Sequence, residues 1–272
     1  MTLKNSPPFD FELYDRPGRH WTASQRTMFV NELRALASQC LYPLPDYQCL
    51  SSATGALDDK LIVIARRPSD SEIVAFVSSV FLPMPAAAGY ASPFTVFHTG
   101  LTCISPKIRR TGMTIELFAR IFFYMTSRHP EGFWLTSLAE VPSSLVSISH
   151  YATNVFPSPY ITEPTSMHLH IAETISRQYR DVLLISPAAV FDADRFVFEG
   201  SNDLGSCFRK DRDDKQLHHR RTDVNEYYRD LLGKGEGDEV LQVGYVTRER
   251  IVQANNEEAR LQRSVTPLKA KL

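Results

Sequence analysis

The sequence predicts an α/β (α+β) fold, a single sheet with helices on both faces, and three observations carry that expectation. Apolar Phe9, Phe11 and Leu13 alternate with Asp10, Glu12 and Tyr14, the period of a half-buried strand. Two short apolar runs, 61–65 and 73–77, flank a turn at Pro68 to Ser71 and read as a hairpin. An apolar strand from Phe94 to Ile104 passes through a basic turn into an apolar-faced helix, about Gly112 to Arg128.

The elements follow in order. After the first strand, Ser24 can cap a helix whose Phe29, Leu33, Leu36 and Cys40 recur at helical spacing, and Pro43 and Pro45 end it. The hairpin comes next, then a small-residue loop from Pro83 to Gly89 and the strand that enters the basic turn. In the helix that leaves the turn, Leu117, Phe118, Ile121, Phe122 and Met125 share one face and must bury against the sheet. A strand from Phe133 ends at Ala139-Glu140-Val141 and is followed by a shorter helix, Ser143 to Ala152. These elements lie within 9–156 of a single domain spanning 1–272. Beyond them, Met167 to Leu183 is helical in pattern, and closing strands are expected near 194–199 and 239–246. A charged insertion of about 201–237 separates them; its run from Arg209 to Asp214 reads as solvated, and Gly233-Lys234-Gly235-Glu236-Gly237 as a mobile turn. The polar tail 247–272 is helical to about Arg263.

A chain of 272 residues can bury one substantial core. Its formal net charge of −1 argues against a nucleic-acid partner, which needs a basic field. Cys40, Cys49, Cys103 and Cys207 are too scattered for a disulfide framework or a zinc site, so reduced intracellular thiols are expected. No run of ~18 apolar residues exists to span a membrane, and Met1 to Pro8 lacks a signal core. The end Ala270-Lys271-Leu272 is close to the S-K-L peroxisomal address, which sets a peroxisome beside the cytoplasm as the expected location.

The basic turn is the most telling stretch. In Ile104-Ser105-Pro106-Lys107-Ile108-Arg109-Arg110-Thr111-Gly112-Met113-Thr114, a strand, three cations and a glycine precede a helix start. Free N–H groups of a first helical turn and the helix dipole attract an anion, and Gly112 lets the backbone approach it. Neither G-x-x-x-x-G-K-[ST] nor G-x-G-x-x-G is present, so a Walker loop and a Rossmann site are both excluded here.

The stretch resembles motif A of the GNAT superfamily of N-acyltransferases, roughly V-x-P-x-x-[RQ]-x-x-G-x-[GA]. Ile104, Pro106, Arg109 and Gly112 match, and Thr114 replaces the last small residue. The resemblance covers about 9–156 and implies a mixed, mostly antiparallel sheet with helices on both faces. It also implies an acyl-CoA co-substrate, acetyl-CoA first, with no metal. Thr102, Cys103 and Ile104 would bond the pantetheine and acyl carbonyl, while Lys107, Arg109, Arg110, Thr111, Gly112, Met113 and Thr114 would hold the pyrophosphate.

Catalytic positions follow from the same resemblance. Eleven residues before Arg109, where family branches carry a base, stands His98; it shares a strand face with Gly100 and Thr102. An imidazole with a pKa near ~6.5 suits base work at neutral pH. The family's acid is a tyrosine in Y-x-x-x-G-F, and Tyr151 to Phe156 matches it except that Val155 replaces glycine, leaving Asn154 to take the left-handed position. Glu140 is the further candidate, as a water-linked base or amine ligand. Weaker constellations are Cys103 with His150 as a nucleophile pair, and His168-x-His170 and His218-His219, which no further ligand completes.

The expected function is therefore acyl-CoA-dependent N-acylation of a small-molecule amine by direct attack, in a chain compatible with a homodimer. Phe81, Met84, Tyr90, Phe94, Phe97 and Trp134 suggest an apolar acceptor. Two alternatives stay open: a repurposed thioester enzyme (hydrolysis, decarboxylation or O-acyl transfer), and a non-catalytic acyl-CoA-binding module.

Overall fold

The computed structural model describes residues 9–87, 92–109, 111–233 and 235–264. In chain order these form β1 (Asp10–Asp15), α1 (Ala23–Ala37), β2 (Lys60–Arg66), β3 (Ile73–Met84), β4 (Phe94–Thr99), β5 (Thr102–Ile104), α2 (Met113–Arg128), β6 (Phe133–Ala139), α3 (Pro142–Tyr151) and β7 (Thr153–Phe156). There follow α4 (Ser166–Gln178), α5 (Arg180–Leu183), β8 (Val190–Asp192), β9 (Val197–Glu199), α6 (Thr222–Leu232), β10 (Glu239–Val246) and α7 (Arg248–Ser264). Tyr90, Arg110 and the Ala270-Lys271-Leu272 end lie outside the described residues. No helix among those residues is long and apolar enough to cross a membrane.

The strands build one mixed sheet in the order β1-β2-β3-β4-β6-β10-β9-β8, with β5 paired to β3 and β7 to β10. Every pairing is antiparallel except β4 with β6, whose crossover contains α2. Alternation along the strands sorts the core into two layers. Leu61, Val63, Val77, Phe97 and Leu135 pack with Leu117, Ile121 and Phe122 of α2, Ile148 of α3 and Ile251 of α7. On the opposite face Ile62, Ile64 and Phe76 meet Phe29, Leu33 and Leu36 of α1, and Val80, Val96, Leu241 and Val243 meet Ile171 and Ile175 of α4.

Several expected details change. Thr22, not Ser24, caps α1: its hydroxyl accepts from Gln25 N while Gln25 Oε1 accepts from Thr22 N at 2.8 Å, a reciprocal capping box. Residues 157–238 lie between β7 and β10, which pair through Phe156 and Val243. This segment adds α4, α5, β8, β9 and α6, so the charged insertion contains a helix that periodicity did not single out. Its α6 packs Val224, Tyr228 and Leu232 onto Leu145 of α3 and Val240 of β10. The glycine-rich turn is held: Asn202 N donates to Gly237 O at 2.8 Å, and a Cβ on Gly237 would lie 2.3 Å from Asn202 O.

Candidate active site

The expected continuous strand from Phe94 to Ile104 is broken at Gly100-Leu101. Between the pairs Val80–His98 and Val77–Thr102, β3 advances three residues while the opposing chain advances four, so the extra residue makes a bulge. Only glycine fits there: a Cβ on Gly100 would stand 2.4 Å from Ser78 O and 2.7 Å from the Tyr47 hydroxyl. The bulge reverses the side-chain alternation. Cys103 joins the α1-side cluster, whereas Thr102, paired to Val77 of the α2-side layer, faces the other way from His98.

The same bulge opens the sheet. Pairing of β4 with β6 runs from Val96–Trp134 to Thr99–Ser137 and stops. Beyond it, among the described residues, β5 pairs with β3 and β6 with β10, leaving a gap between two parallel strands. From the end of β5 a tight helical turn, Pro106–Ile108, leads to α2, and Thr111 Oγ1 donates to Ile108 O at 2.8 Å. Gly112 enters α2 with φ of 83° and no side-chain cap, a conformation that favours glycine, and the space around its α-carbon is open. Lys107, Arg109, Thr111 and Thr114 are exposed around this helix start, while Met113 is buried in the α2-side core. The dipole and first-turn N–H groups of a 16-residue helix thus face solvent beside two cations.

On the α1 side of the gap stand Tyr47, His98 and Glu239. His98 is buried, with Nδ1 3.0 Å from Thr136 Oγ1, and loss of solvation pulls its pKa down to about 3. Burial thus favours the neutral ring and works against the base role expected of His98. Glu239, at the start of β10, accepts from Ser201 Oγ at 2.6 Å. Burial pushes its carboxyl up to about 7, with the nearby Glu140 carboxylate adding to the rise against hydrogen bonds from Ser201 and Asn202. Tyr47 is buried beside it, and its phenol is held up chiefly by burial, then by Cys49 and Glu239.

Glu140 ends β6 with a different task from the expected base or amine ligand. Its Oε2 accepts from Lys210 N at 2.9 Å, its Oε1 from Gly237 N at 3.1 Å, and Arg212 Nε lies 3.4 Å away. Both carboxylate oxygens are thus committed to anchoring backbone. The anchored segment crosses the end of the sheet: Ser201 meets Glu239, Lys210 meets Glu140, and Phe208 reaches the α1-side cluster with its ring 6.2 Å from that of Tyr47. The charged run keeps Asp211 and Asp213 exposed, as expected, while Lys210 N and Arg212 are drawn to Glu140, with Arg212 only 16% exposed, so the segment is a strap across the end of the sheet.

Tyr151 lies on the opposite face, buried in the α2-side layer with its ring 4.9 Å from Phe122 and 4.8 Å from His150. It and His98 are separated by the sheet. Asn154 takes the left-handed conformation, φ 49°, and the bulk of Val155 packs against Gly244, where a Cβ would come within 2.9 Å of it. Cys103 and His150 belong to opposite layers, which removes that nucleophile pair. His168 serves the capping box of α4, its Nδ1 accepting from Thr165 N, and His170 Nε2 lies 3.2 Å from Pro85 O. The aromatic set behind the apolar acceptor is also reassigned. Phe81 and Phe97 fill the α2-side core, and Met84, Phe94 and Trp134 the α4-side cluster, all along the part of β3, β4 and β6 that precedes the gap.

No family model matches the chain, and no curated protein matches it. Solved structures resemble part of it. An acetyltransferase from Vibrio fischeri has 14% identity over 46% of this chain and 93% of its own, with a TM-score of 0.33. Escherichia coli ElaA has 14% identity over 54% of this chain and 91% of its own, with a TM-score of 0.36. The aminoglycoside N-acetyltransferase AAC(6')-Iy in complex with CoA has 18% identity over 47% and 75%, with a TM-score of 0.32.

Proposed function

We propose that this chain is an acyl-CoA-dependent N-acyltransferase that transfers an acyl group, acetyl in the first instance, to a small-molecule amine by direct attack. The observation that carries this reading is the gap between β5 and β6 opening beside the glycine-led start of α2. A strand edge free of its parallel neighbour offers amides and carbonyls to an extended amide-bearing chain, and the helix start offers donors and positive charge to a pyrophosphate. Acyl-CoA has both parts and supplies the activated acyl group.

Thr102, Cys103 and Ile104 present the strand edge; Lys107, Arg109, Thr111, Gly112, Met113 and Thr114 form the anion turn. Glu239, titrating near neutrality on the α1 side, takes the base role in place of His98 and Glu140, and Tyr151 is the acid for the leaving thiolate from the α3 side. With Phe81, Met84, Phe94, Phe97 and Trp134 packed as core, those side chains give no reason to favour an apolar amine over a polar one.

Arg109→Ala is expected to weaken CoA binding by about ten- to a hundredfold in isothermal titration, since a charge-assisted contact is worth ~1.5–3 kcal/mol. Unchanged affinity would take Arg109 out of the site. Tyr151→Phe keeps the packed ring and is expected to lower kcat by about 10²-fold or more while CoA affinity holds. Equal kcat with chemistry rate-limiting would remove the acid role.

One observation favours a second reading, a non-catalytic acyl-CoA-binding module. The strap that places Phe208 on Tyr47 narrows the approach to the gap. Incubation with acetyl-CoA and an amine panel separates the two, because a module binds CoA without acylating any amine, and free thiol without acylated amine would indicate a repurposed thioester enzyme.

A further inference from the structure

We propose that Cys40 and Cys103 form a peroxide-sensitive thiol pair that closes to a disulfide at the foot of the anion turn. The four cysteines, dispersed in sequence, gather around β5 in the fold. Cys40 follows the end of α1 and Cys103 lies at the centre of β5; both belong to the cluster that packs α1 on the sheet. The Cys40 sulfur stands 3.4 Å from the carbonyl of Ile104, the residue next to Cys103, and both cysteine side chains pack in that one cluster. The Arg109 guanidinium is near enough for its charge to act on the Cys40 thiol. Cys40 is partly exposed and within reach of a small oxidant, whereas Cys103 is buried behind it. Cys49 and Cys207 are also buried near Cys103.

The roles of the two sulfurs differ in a way that suits stepwise oxidation. The neighbouring Cys103 thiol and then the Arg109 charge lower the Cys40 thiol from its ordinary value, against the opposing effect of burial, which favours its reactive thiolate. Cys103 is pushed up by the neighbouring Cys40 and by burial, and burial pushes Cys49 up to about 12. Hydrogen peroxide is the oxidant. The Cys40 thiolate attacks one peroxide oxygen, the O–O bond breaks, and the leaving hydroxide takes a proton to become water, leaving a sulfenic acid on Cys40. Cys103 sulfur then attacks the Cys40 sulfur, the S–O bond breaks, and the departing oxygen leaves as water with the Cys103 proton. Two thiols lose two electrons in all, and one peroxide becomes two waters.

The test treats the full chain with stoichiometric hydrogen peroxide, blocks residual thiols with N-ethylmaleimide and maps the digest by mass spectrometry. The expected result is a peptide linking Cys40 to Cys103 that a dithiol reductant separates. In Cys40→Ser no disulfide involving Cys103 should form. A milder variant, Arg109→Ala, should slow iodoacetamide alkylation of Cys40 at pH 6.5 several-fold without disturbing the core. Sulfinic acid on Cys40 with Cys103 still blocked by maleimide would overturn the proposal, as would a link from Cys103 to Cys49 or Cys207 instead. Because the readout is a mass and not turnover, it stands or fails separately from the acyltransfer reading.

Discussion

Glu239→Gln is expected to lower kcat on the true acceptor by about 10²–10⁴-fold, the usual cost of losing a general base. It is also expected to abolish the rise of kcat/KM with pH that the wild type should show around pH 7, where the buried carboxyl ionises. The same group makes a stability prediction of opposite sign. A carboxyl whose native pKa is raised from the ordinary value to about 7 holds a proton that the unfolded chain has already released, so native stability falls as pH rises through that window. Glutamine cannot ionise and keeps the acceptor for Ser201 Oγ. Above pH 7 the variant should therefore equal or exceed the wild type in stability, by something on the order of 1–3 kcal/mol once partial exposure is allowed for. A stable variant with lost turnover isolates the chemical role. Wild-type kcat in Glu239→Gln, with chemistry rate-limiting, would sink the assignment, and an unchanged acid limb would show that another group titrates.

The elements that could be read were those with a local pattern. The half-buried β1 and α2 with its apolar face show it as spacing, and β2 and β3, buried on both faces, show it as short apolar runs about a turn. The breaks in those elements are less legible, because they are set by neighbours distant in sequence. Gly100 reads as one more residue of an apolar strand; the carbonyl of Ser78 and the hydroxyl of Tyr47 require it to lack a side chain and make it the point where the sheet parts. That one-residue bulge reversed the expected facing of Thr102 relative to His98. Likewise Tyr179 ends α4 before α5, where the apolar pattern had suggested one helix.

For the site, the motif was local and could be read: Arg109, Gly112 and the helix start sit in one short stretch. The other side of the gap is assembled from three distant segments, Tyr47 after α1, Ser201 after β9 and Glu239 at the start of β10, and none of them carries a local signature. His98 was found by offset, but its protonation could not be, since burial in the folded chain sets it. The charged run from Arg209 was legible only in part for the same reason. Asp213 does face solvent, but a buried carboxylate 70 residues earlier in the chain accepts from Lys210 N and, with Asp238, draws Arg212 inward.

That carboxylate supplies the second large effect, Glu140→Ala, which is expected to destabilise the fold by roughly 3–5 kcal/mol in equilibrium denaturation, the cost of removing one partner of a buried ion pair. The physical reason is specific. Glu140 is 3% exposed and satisfies two backbone N–H groups, of Lys210 and Gly237, from different ends of the strap. Arg212 Nε and Nη2 are buried without a hydrogen bond of good geometry and rely on charge, with Glu140 at 3.4 Å and Asp238 at 3.7 Å. Alanine leaves both N–H donors without their acceptor and leaves Arg212 to the more distant Asp238 carboxylate and the Gly233 carbonyl. Amide exchange should accelerate first at Lys210 and Gly237, before the core strands open. Glu140→Gln keeps an acceptor oxygen but no charge, so it should fall between wild type and alanine in stability. Adding Arg212→Met to Glu140→Ala should recover part of the loss, because the stranded cation is then gone. If Glu140 were instead the base, Glu140→Gln would lose turnover by orders of magnitude at wild-type stability. That result would return the catalytic role to Glu140 and leave the strap without its anchor.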